Sequence, residues 1–268
     1  MNVKIFGILN ITEDSFSDGG KYLDTDAAIA HAELLAAAGA DVIDIGAASS
    51  NPQSSSVPSE LEITRLAAVV PALKARGLKL SIDTFSPIVQ RWALERHLDW
   101  INDINGFPDD ALYPALAKSG CGLVVMHMVQ EGGIAVGMDV PVAEIFGRIT
   151  RFFDHRIASL TGAGIARERL VLDPGMGFFL GKDPQNSFEI LRRLPELKQR
   201  YGLPLLISVS RKSFLRGGRP PQGAETLGAT LAAEYFAADH GADMIRTHAP
   251  GPLKAGLKTL KSIDKSSM

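Results

Sequence analysis

Short β-rich runs alternate with helical patterns eight times along 268 residues, and this repetition constrains the fold more than any single residue does. The strand candidates are residues 3–9, 41–45, 78–82, 100–103, 121–126, 169–172, 204–209 and 243–247. Strands separated by helix-length segments pair in parallel, because a tight hairpin cannot join parallel neighbours. Eight strand–helix units in a chain of this length predict an α/β fold, the closed TIM (β/α)8 barrel, ahead of an open doubly wound sheet. No linker, low-complexity tract or shift of composition interrupts the pattern, so residues 1–268 are expected to form one domain. Apolar residues at 46% and charged residues at 22% are ordinary for a globular enzyme with a sizeable core.

The helices carry their own punctuation. Ser59-x-x-Glu62 reads as a capping box ahead of Ile63, Leu66, Ala67 and Val70, with Gly77 past the helix end. Pro87 and Pro184 sit where a first helical turn tolerates proline. Ile145, Ile149, Phe152, Phe153 and Ile157 form a stripe at helical spacing, expected to pack against the barrel.

The strands end in polar residues. Asp83 closes the third, Asn102 the fourth and Asp173 the sixth; Lys212 follows the seventh, and Arg246 and His248 close the eighth. In a parallel barrel all these ends meet at one mouth. Asp83 and Asp173 suit an acid/base pair, a metal site, or a pair of acceptors for a donor-rich heterocycle. A ring with adjacent amino, N–H and carbonyl groups is matched by two carboxylates, the Asn102 amide and the Lys212 ammonium. A buried Lys212–Asp173 salt bridge is the structural alternative. Arg246 and His248 suit an anion, since barrels commonly hold phosphate near strands seven and eight. Asn10, ending the first strand, is a candidate Mg²⁺ ligand beside phosphate oxygens. The polar loops 10–20 and 47–56 follow strands one and two and are expected to be long, mobile covers of the mouth. His127 ends the fifth strand, either lining the pocket or satisfied in the core.

Several functions are excluded. A net charge of −2 argues against nucleic acid, and no apolar stretch is long enough to span a membrane. The chain runs from its first residues into a strand with no charged leader, so the cytoplasm is the expected compartment. The single cysteine, Cys121, reads as a core thiol. No zinc-type spacing, phosphate-binding P-loop or dinucleotide fingerprint is present.

Taken together and in order, these motifs resemble the dihydropteroate synthase family over nearly the whole chain. They are Ile8-Leu9-Asn10-Ile11-Thr12-Glu13-Asp14-Ser15-Phe16-Ser17-Asp18-Gly19-Gly20, Ser81-Ile82-Asp83-Thr84, Ile101-Asn102-Asp103-Ile104, Leu172-Asp173-Pro174-Gly175, Ser210-Arg211-Lys212-Ser213 and Arg246-Thr247-His248. The resemblance implies that Asp83, Asn102, Asp173 and Lys212 hold a pterin, with Met126 and Phe178 as pocket walls. It implies Asn10 on Mg²⁺ and, with Arg246 and His248, on a diphosphate, and Ser50, Phe178, Phe179, Lys212 and Ser213 around 4-aminobenzoate. The implied reaction joins 6-hydroxymethyl-7,8-dihydropterin diphosphate to 4-aminobenzoate with loss of diphosphate, in a homodimer.

The chain departs from the family pattern twice. Ala47-Ala48-Ser49-Ser50-Asn51-Pro52 stands where Gly-Glu-Ser-Thr-Arg-Pro is usual, so Asn51 replaces an arginine. The stretch Gly177-Phe178-Phe179-Leu180-Gly181-Lys182 is longer by two residues. Both departures resemble the sulfonamide-insensitive branch, in which a longer loop would narrow the 4-aminobenzoate pocket against the drug's extra atoms. The competing readings are a pterin-binding methyltransferase of the same barrel family, an aldolase with Lys212 as Schiff-base lysine, and a pterin-binding scaffold without catalysis.

Overall fold

The computed structural model describes residues 2–12, 24–48, 57–130, 138–217 and 223–265. Eight parallel strands form one sheet: β1 (Lys4–Asn10), β2 (Val42–Gly46), β3 (Leu80–Asp83), β4 (Trp100–Asp103), β5 (Gly122–Met126), β6 (Leu170–Asp173), β7 (Leu206–Ile207) and β8 (Met244–Thr247). The order β6-β5-β4-β3-β2-β1-β8-β7, with a parallel bridge from Leu172 to Leu205, closes the barrel. The described helices are α1 (Thr25–Ala37), α2 (Ser59–Ala75), α3 (Pro87–Glu95), α4 (Tyr113–Lys118), α5 (Val142–Gly162), α6 (Pro184–Arg192), α7 (Leu194–Tyr201), α8 (Gly223–Asp239) and α9 (Pro250–Lys265). The segment after β6 holds two of them because Pro195, which has no N–H to continue a helix, opens α7.

Strand alternation sorts the side chains into two environments. Ile5, Ile43, Ile45, Ile82, Ile101, Leu123, Leu172 and Ile245 belong to the main core with the helices. The residues between them in register face inward. Phe6, Val42, Val124, Val171, Leu206 and Met244 form a separate buried cluster with Trp100 against it, which is the floor of the barrel. Phe6 meets the Trp100 edge with ring centroids 5.7 Å apart. Above this dry floor the inward positions turn polar. The barrel is thus plugged below and polar above.

Helix starts agree with the sequence at α3 and α6, where Pro87 and Pro184 occupy the first turn and Ser86 and Asp183 cap them. The stripe on α5 is core: Ile145, Ile149 and Phe153 are fully buried, with Phe152 and Ile157 packed beside them. The expected capping box on α2 does not form. Pro58 is the N-cap, Ser59 Oγ bonds Ser86 Oγ at 2.8 Å, and Glu62 is buried instead of reaching back. Burial pushes the Glu62 carboxyl up, with the Thr84 hydroxyl and Arg65 opposing. β7 is also shorter than residues 204–209. The chain leaves the ladder after Ile207 and turns, with the Lys212 amide bonding the Val209 carbonyl at 3.1 Å and Arg211 at φ 60°. That turn aims the residues after β7 across the mouth. Cys121 is buried, and burial pushes its thiol up to about 12, as fits a core residue.

Phe6→Ala would leave a void among rigid strands that cannot collapse into it, costing about 3–5 kcal/mol of unfolding free energy. Urea denaturation monitored by circular dichroism reads this directly.

Candidate active site

The centre of the mouth is Arg246, the inward residue near the end of β8. Its Nη2 donates to Asp83 Oδ2 at 2.6 Å, and its Nε donates to Asp44 Oδ2. Asp44 lies within β2 and is wholly buried. Asp173 receives the Gly175 amide at 2.8 Å, in a turn that Gly175 permits with φ 76°. The Lys212 ammonium donates to the Met176 carbonyl at 3.0 Å and lies 4.5 Å above the centre of the Phe179 ring. It makes no ion pair with Asp173, so the expected alternative of a structural salt bridge is not built. The Asn102 Oδ1 is buried without a hydrogen-bond partner, ready for a donor from a ligand.

Charge is unbalanced here. Asp44, Asp83 and Asp173 face Arg246 and Lys212, which leaves one carboxylate more than there are cations. Burial raises Asp83 to about 7; Arg246 opposes the shift and Asp44 adds to it. Burial raises Asp173 to about 6, against the Gly175 amide and Lys212. Burial lowers Lys212 to about 8, with Asp173 opposing. Burial also works against charge on Arg246, but Asp44 and Asp83 outweigh it and the guanidinium stays above its usual range. Perturbed groups of both signs in one cleft are what a functional site looks like.

These groups line two connected spaces. Asn102, Met126, Asp173 and Phe179 surround a deep recess of about 30 Å³, shared with Asp83, Lys212 and Arg246. Above it opens a cavity of about 500 Å³ lined by Asn10, Phe178, Ser213 and His248 among others, and the same Asp83, Lys212 and Arg246. The structure therefore brings Asn10, Asp83, Asn102, Met126, Asp173, Phe178, Phe179, Lys212, Ser213, Arg246 and His248 to one mouth. Ser50, Asn51 and most of the two long loops lie outside the described residues. One expected wall is exchanged. Phe178 is 50% exposed at the cavity rim, while Phe179 walls the recess, because the 3-10 turn Gly177–Leu180 points successive side chains in different directions.

His127 is a satisfied core histidine. It is buried with Nδ1 3.1 Å from the Pro174 carbonyl, and burial holds it down at about 4. Asp103 serves its own turn, accepting from Gln90 Nε2 and from the Asn105 and Phe107 amides. Sequence reasoning missed Asp44, Ser208 and Ser210. Asp44 had a signal: a carboxylate inside Val42-Ile43-Asp44-Ile45-Gly46 is costly unless a cation meets it. Ser208 had none, and Ser210 stood in the motif Ser210-Arg211-Lys212-Ser213 with no role assigned to it.

The sequence profile of the family described as "Pterin binding enzyme" matches residues 6–248. The chain belongs to the pterin-binding enzymes. It shares 57% identity over 265 residues with the dihydropteroate synthase type-2 of Escherichia coli, covering 98% of this chain and 97% of that one. Its fold superposes with a TM-score of 0.87 on Xanthomonas albilineans dihydropteroate synthase with 4-aminobenzoic acid, at 34% identity and covering 98% and 93% of the two chains. The same Xanthomonas albilineans enzyme in complex with 7,8-dihydropteroate matches with a TM-score of 0.83, 33% identity and coverage of 98% and 94%.

Asp44→Ala would leave Arg246 with one carboxylate in place of two. Breaking a buried pair by removing one partner costs about 3–5 kcal/mol, measurable by chemical denaturation.

Proposed function

We infer that this chain is a dihydropteroate synthase, a transferase that condenses 6-hydroxymethyl-7,8-dihydropterin diphosphate with 4-aminobenzoate to give 7,8-dihydropteroate and diphosphate. The observation that carries the residue roles is the recess with one carboxylate in excess of its cations. A pterin edge presents adjacent amino and ring N–H donors, and Asp173 is placed to accept them. Asn102 Oδ1 takes a further donor, and Lys212 offers its ammonium to the ring carbonyl. Phe179 and Lys212 border both the recess and the outer cavity. Arg246 borders both spaces and stabilises negative charge developing on the departing diphosphate. His248 sits at the rim beside it. 4-Aminobenzoate occupies the outer cavity, with Ser213, Lys212 and the two phenylalanines around it, and its amine attacks the pterin methylene carbon as the C–O bond to diphosphate breaks.

Mg²⁺ suits this site only as a companion of the substrate. Among the described residues no three His, Cys, Asp or Glu side chains gather around a metal position. The Asn10 amide oxygen borders the space left by the missing side chain of Gly46: a Cβ there would lie 3.4 Å from Asn10 Oδ1 and 3.9 Å from Asp83 Oδ2. Asn10 would supply a protein oxygen, with the ion's other ligands coming from phosphate and water. Bound there, Mg²⁺ would offset charge on the leaving diphosphate.

Sulfonamide insensitivity is supported by how the longer loop is built. Leu180 is fully buried and the Phe179 carbonyl accepts the Val129 amide at 2.9 Å, so the insertion is anchored. Phe178, held half-exposed at the rim, obstructs a ligand that projects past the outline of 4-aminobenzoate. A homodimer is supported by Leu227 and Phe236, large apolar residues exposed on α8. The cytoplasm is supported by the absence, among the described residues, of any helix long and apolar enough to cross a membrane. One domain over residues 1–268 completes the reading.

Four outcomes follow. Purified protein should release diphosphate from the pterin diphosphate only with 4-aminobenzoate and Mg²⁺ present; no release under any condition overturns the assignment. Pterin affinity, measured by calorimetry, should be bell-shaped in pH. It rises as pH climbs through about 6, where Asp173 sheds the proton that blocks acceptance, and falls through about 8, where Lys212 loses its charge. Asp173→Asn should remove the step near 6 from the acid limb, leaving that of Asp83 near 7, and weaken binding by about 1.5–3 kcal/mol, the worth of a charged hydrogen bond. Phe178→Ala should lower the sulfonamide inhibition constant about tenfold while changing the KM for 4-aminobenzoate much less, since one contact of about 1.4 kcal/mol is a factor of ten.

A further inference from the structure

Ser210, at the turn after β7, takes part in three close polar contacts with β8 and the residue after it. Its Oγ lies 3.2 Å from the His248 backbone N–H, 3.0 Å from the His248 Nδ1 and 3.5 Å from the Thr247 hydroxyl. A serine hydroxyl has one proton to give and two lone pairs to receive with. The His248 backbone N–H can only donate, so it occupies one lone pair. The other two contacts must then run in opposite senses, one donated by Ser210 and one accepted.

Two patterns satisfy this count. In the first, Thr247 donates to Ser210 and Ser210 donates to His248 Nδ1. In the second, His248 carries its proton on Nδ1 and donates to Ser210, which donates to Thr247. The group behind Thr247 decides between them. Thr247 Oγ1 already accepts the Ala249 amide at 3.1 Å, so one lone pair and one proton remain. The side chain that acts on it from α8 is Glu234. Glu234 is fully buried, and neither carboxyl oxygen makes a hydrogen bond of normal geometry. No cation pairs with it among the described residues. An isolated buried carboxylate is far costlier than the neutral acid, and burial raises this one to about 8, with only the Thr247 hydroxyl opposing. Glu234 is therefore a carboxylic acid at neutral pH and does not draw the Thr247 proton as an anion would. The Thr247 hydroxyl donates to Ser210 Oγ, which selects the first pattern.

We propose that Ser210 is a positioning residue which, backed by Thr247, donates its hydroxyl proton to His248 Nδ1 and so fixes the imidazole as its Nε2–H tautomer. His248 lines the outer cavity. With Nδ1 committed to Ser210, Nε2–H becomes the donor available to an oxyanion of the substrate. Burial, with Arg211 and Arg246 nearby, keeps the ring neutral by lowering it to about 3, so His248 has one N–H to offer and its placement matters. A bare Nε2 would present a lone pair to the anion and repel it. The proposal rests on reading His248 as an anion-facing residue of the synthase.

The test reads the tautomer without substrate, so it does not depend on catalysis. Full-length protein labelled with ¹⁵N at histidine is examined by long-range ¹H–¹⁵N NMR, with His248 assigned by loss of its signals in His248→Asn. The expected result is a single Nε2–H tautomer in the unsubstituted protein and a mixture of tautomers in Ser210→Ala and in the near-isosteric Thr247→Val. Thr247→Val should also raise the KM for the pterin diphosphate about threefold to tenfold, the loss expected for one weakened hydrogen bond, while changing kcat less. An Nδ1–H tautomer or a mixture in the unsubstituted protein overturns the proposal, and that reading stands even if a variant fails to fold. An unchanged Nε2–H tautomer in folded Ser210→Ala also overturns it. A chain that shows the Nε2–H tautomer but releases no diphosphate would sink the synthase assignment and leave the hydrogen-bond order intact.

Discussion

One guanidinium holds the upper barrel together. Arg246 crosses the interior from β8 to Asp44 on β2 and Asp83 on β3, joining strands that are not its neighbours in the sheet, since only β1 stands between β8 and β2. Taking such charges out of water is expensive, and their attraction repays it only when the geometry is good and the remaining lone pairs are used. The geometry is good for Arg246. The lone pairs are not all used: the second Asp44 oxygen is buried without a partner, and Asp173 has no cation bonded to it. The unfolded chain has no such imbalance, so the fold carries a local cost that a donor-rich ligand offsets. That is a physical reason for binding energy to be concentrated in the recess.

The rest of the barrel makes this arrangement affordable. The floor from Phe6 to Met244 is dry and fully packed, and the outer faces of the strands are covered by helices. Polar groups are confined to the last inward position or two of each strand and to the residues just after it. Confinement keeps the charges few and close together, in a low dielectric where each interaction is stronger than in water. It also fixes their positions, because strand ends move less than loops.

The loop after β6 does a different job. Gly175, Gly177 and Gly181 all take left-handed backbone, which lets the chain turn tightly over the mouth. Leu180 pins the loop to the core, Phe179 faces the Lys212 ammonium in the recess, and Phe178 stands at the rim. Three consecutive side chains thus differ in what they reach: Phe178 the outer cavity, Phe179 both spaces, and Leu180 the core.

The strand–helix alternation was legible because each strand is β-rich and bounded by helix periodicity, and all eight expected strands agree with those observed to within two residues at their ends. The polar strand ends were legible because charge directly after an apolar run has few structural uses. What the sequence by itself determined is the class of fold, the closure expected of eight units, and the set of residues that would gather at one mouth. Tertiary structure alone decided who partners whom. Glu62 looked like a cap and became a buried carboxyl, because the face of α2 that carries it turns toward the barrel. Arg246 looked free for an anion, yet two of its nitrogens are bonded to Asp44 and Asp83, residues far from it in sequence. Phe179 reached the recess and Phe178 did not, through one residue of turn geometry, and Ser210 gained its place beside His248 from where β7 ends. Periodicity is local and can be read along the chain; hydrogen-bond partners depend on the register and closure of strands distant in sequence, and only the closed barrel supplies them.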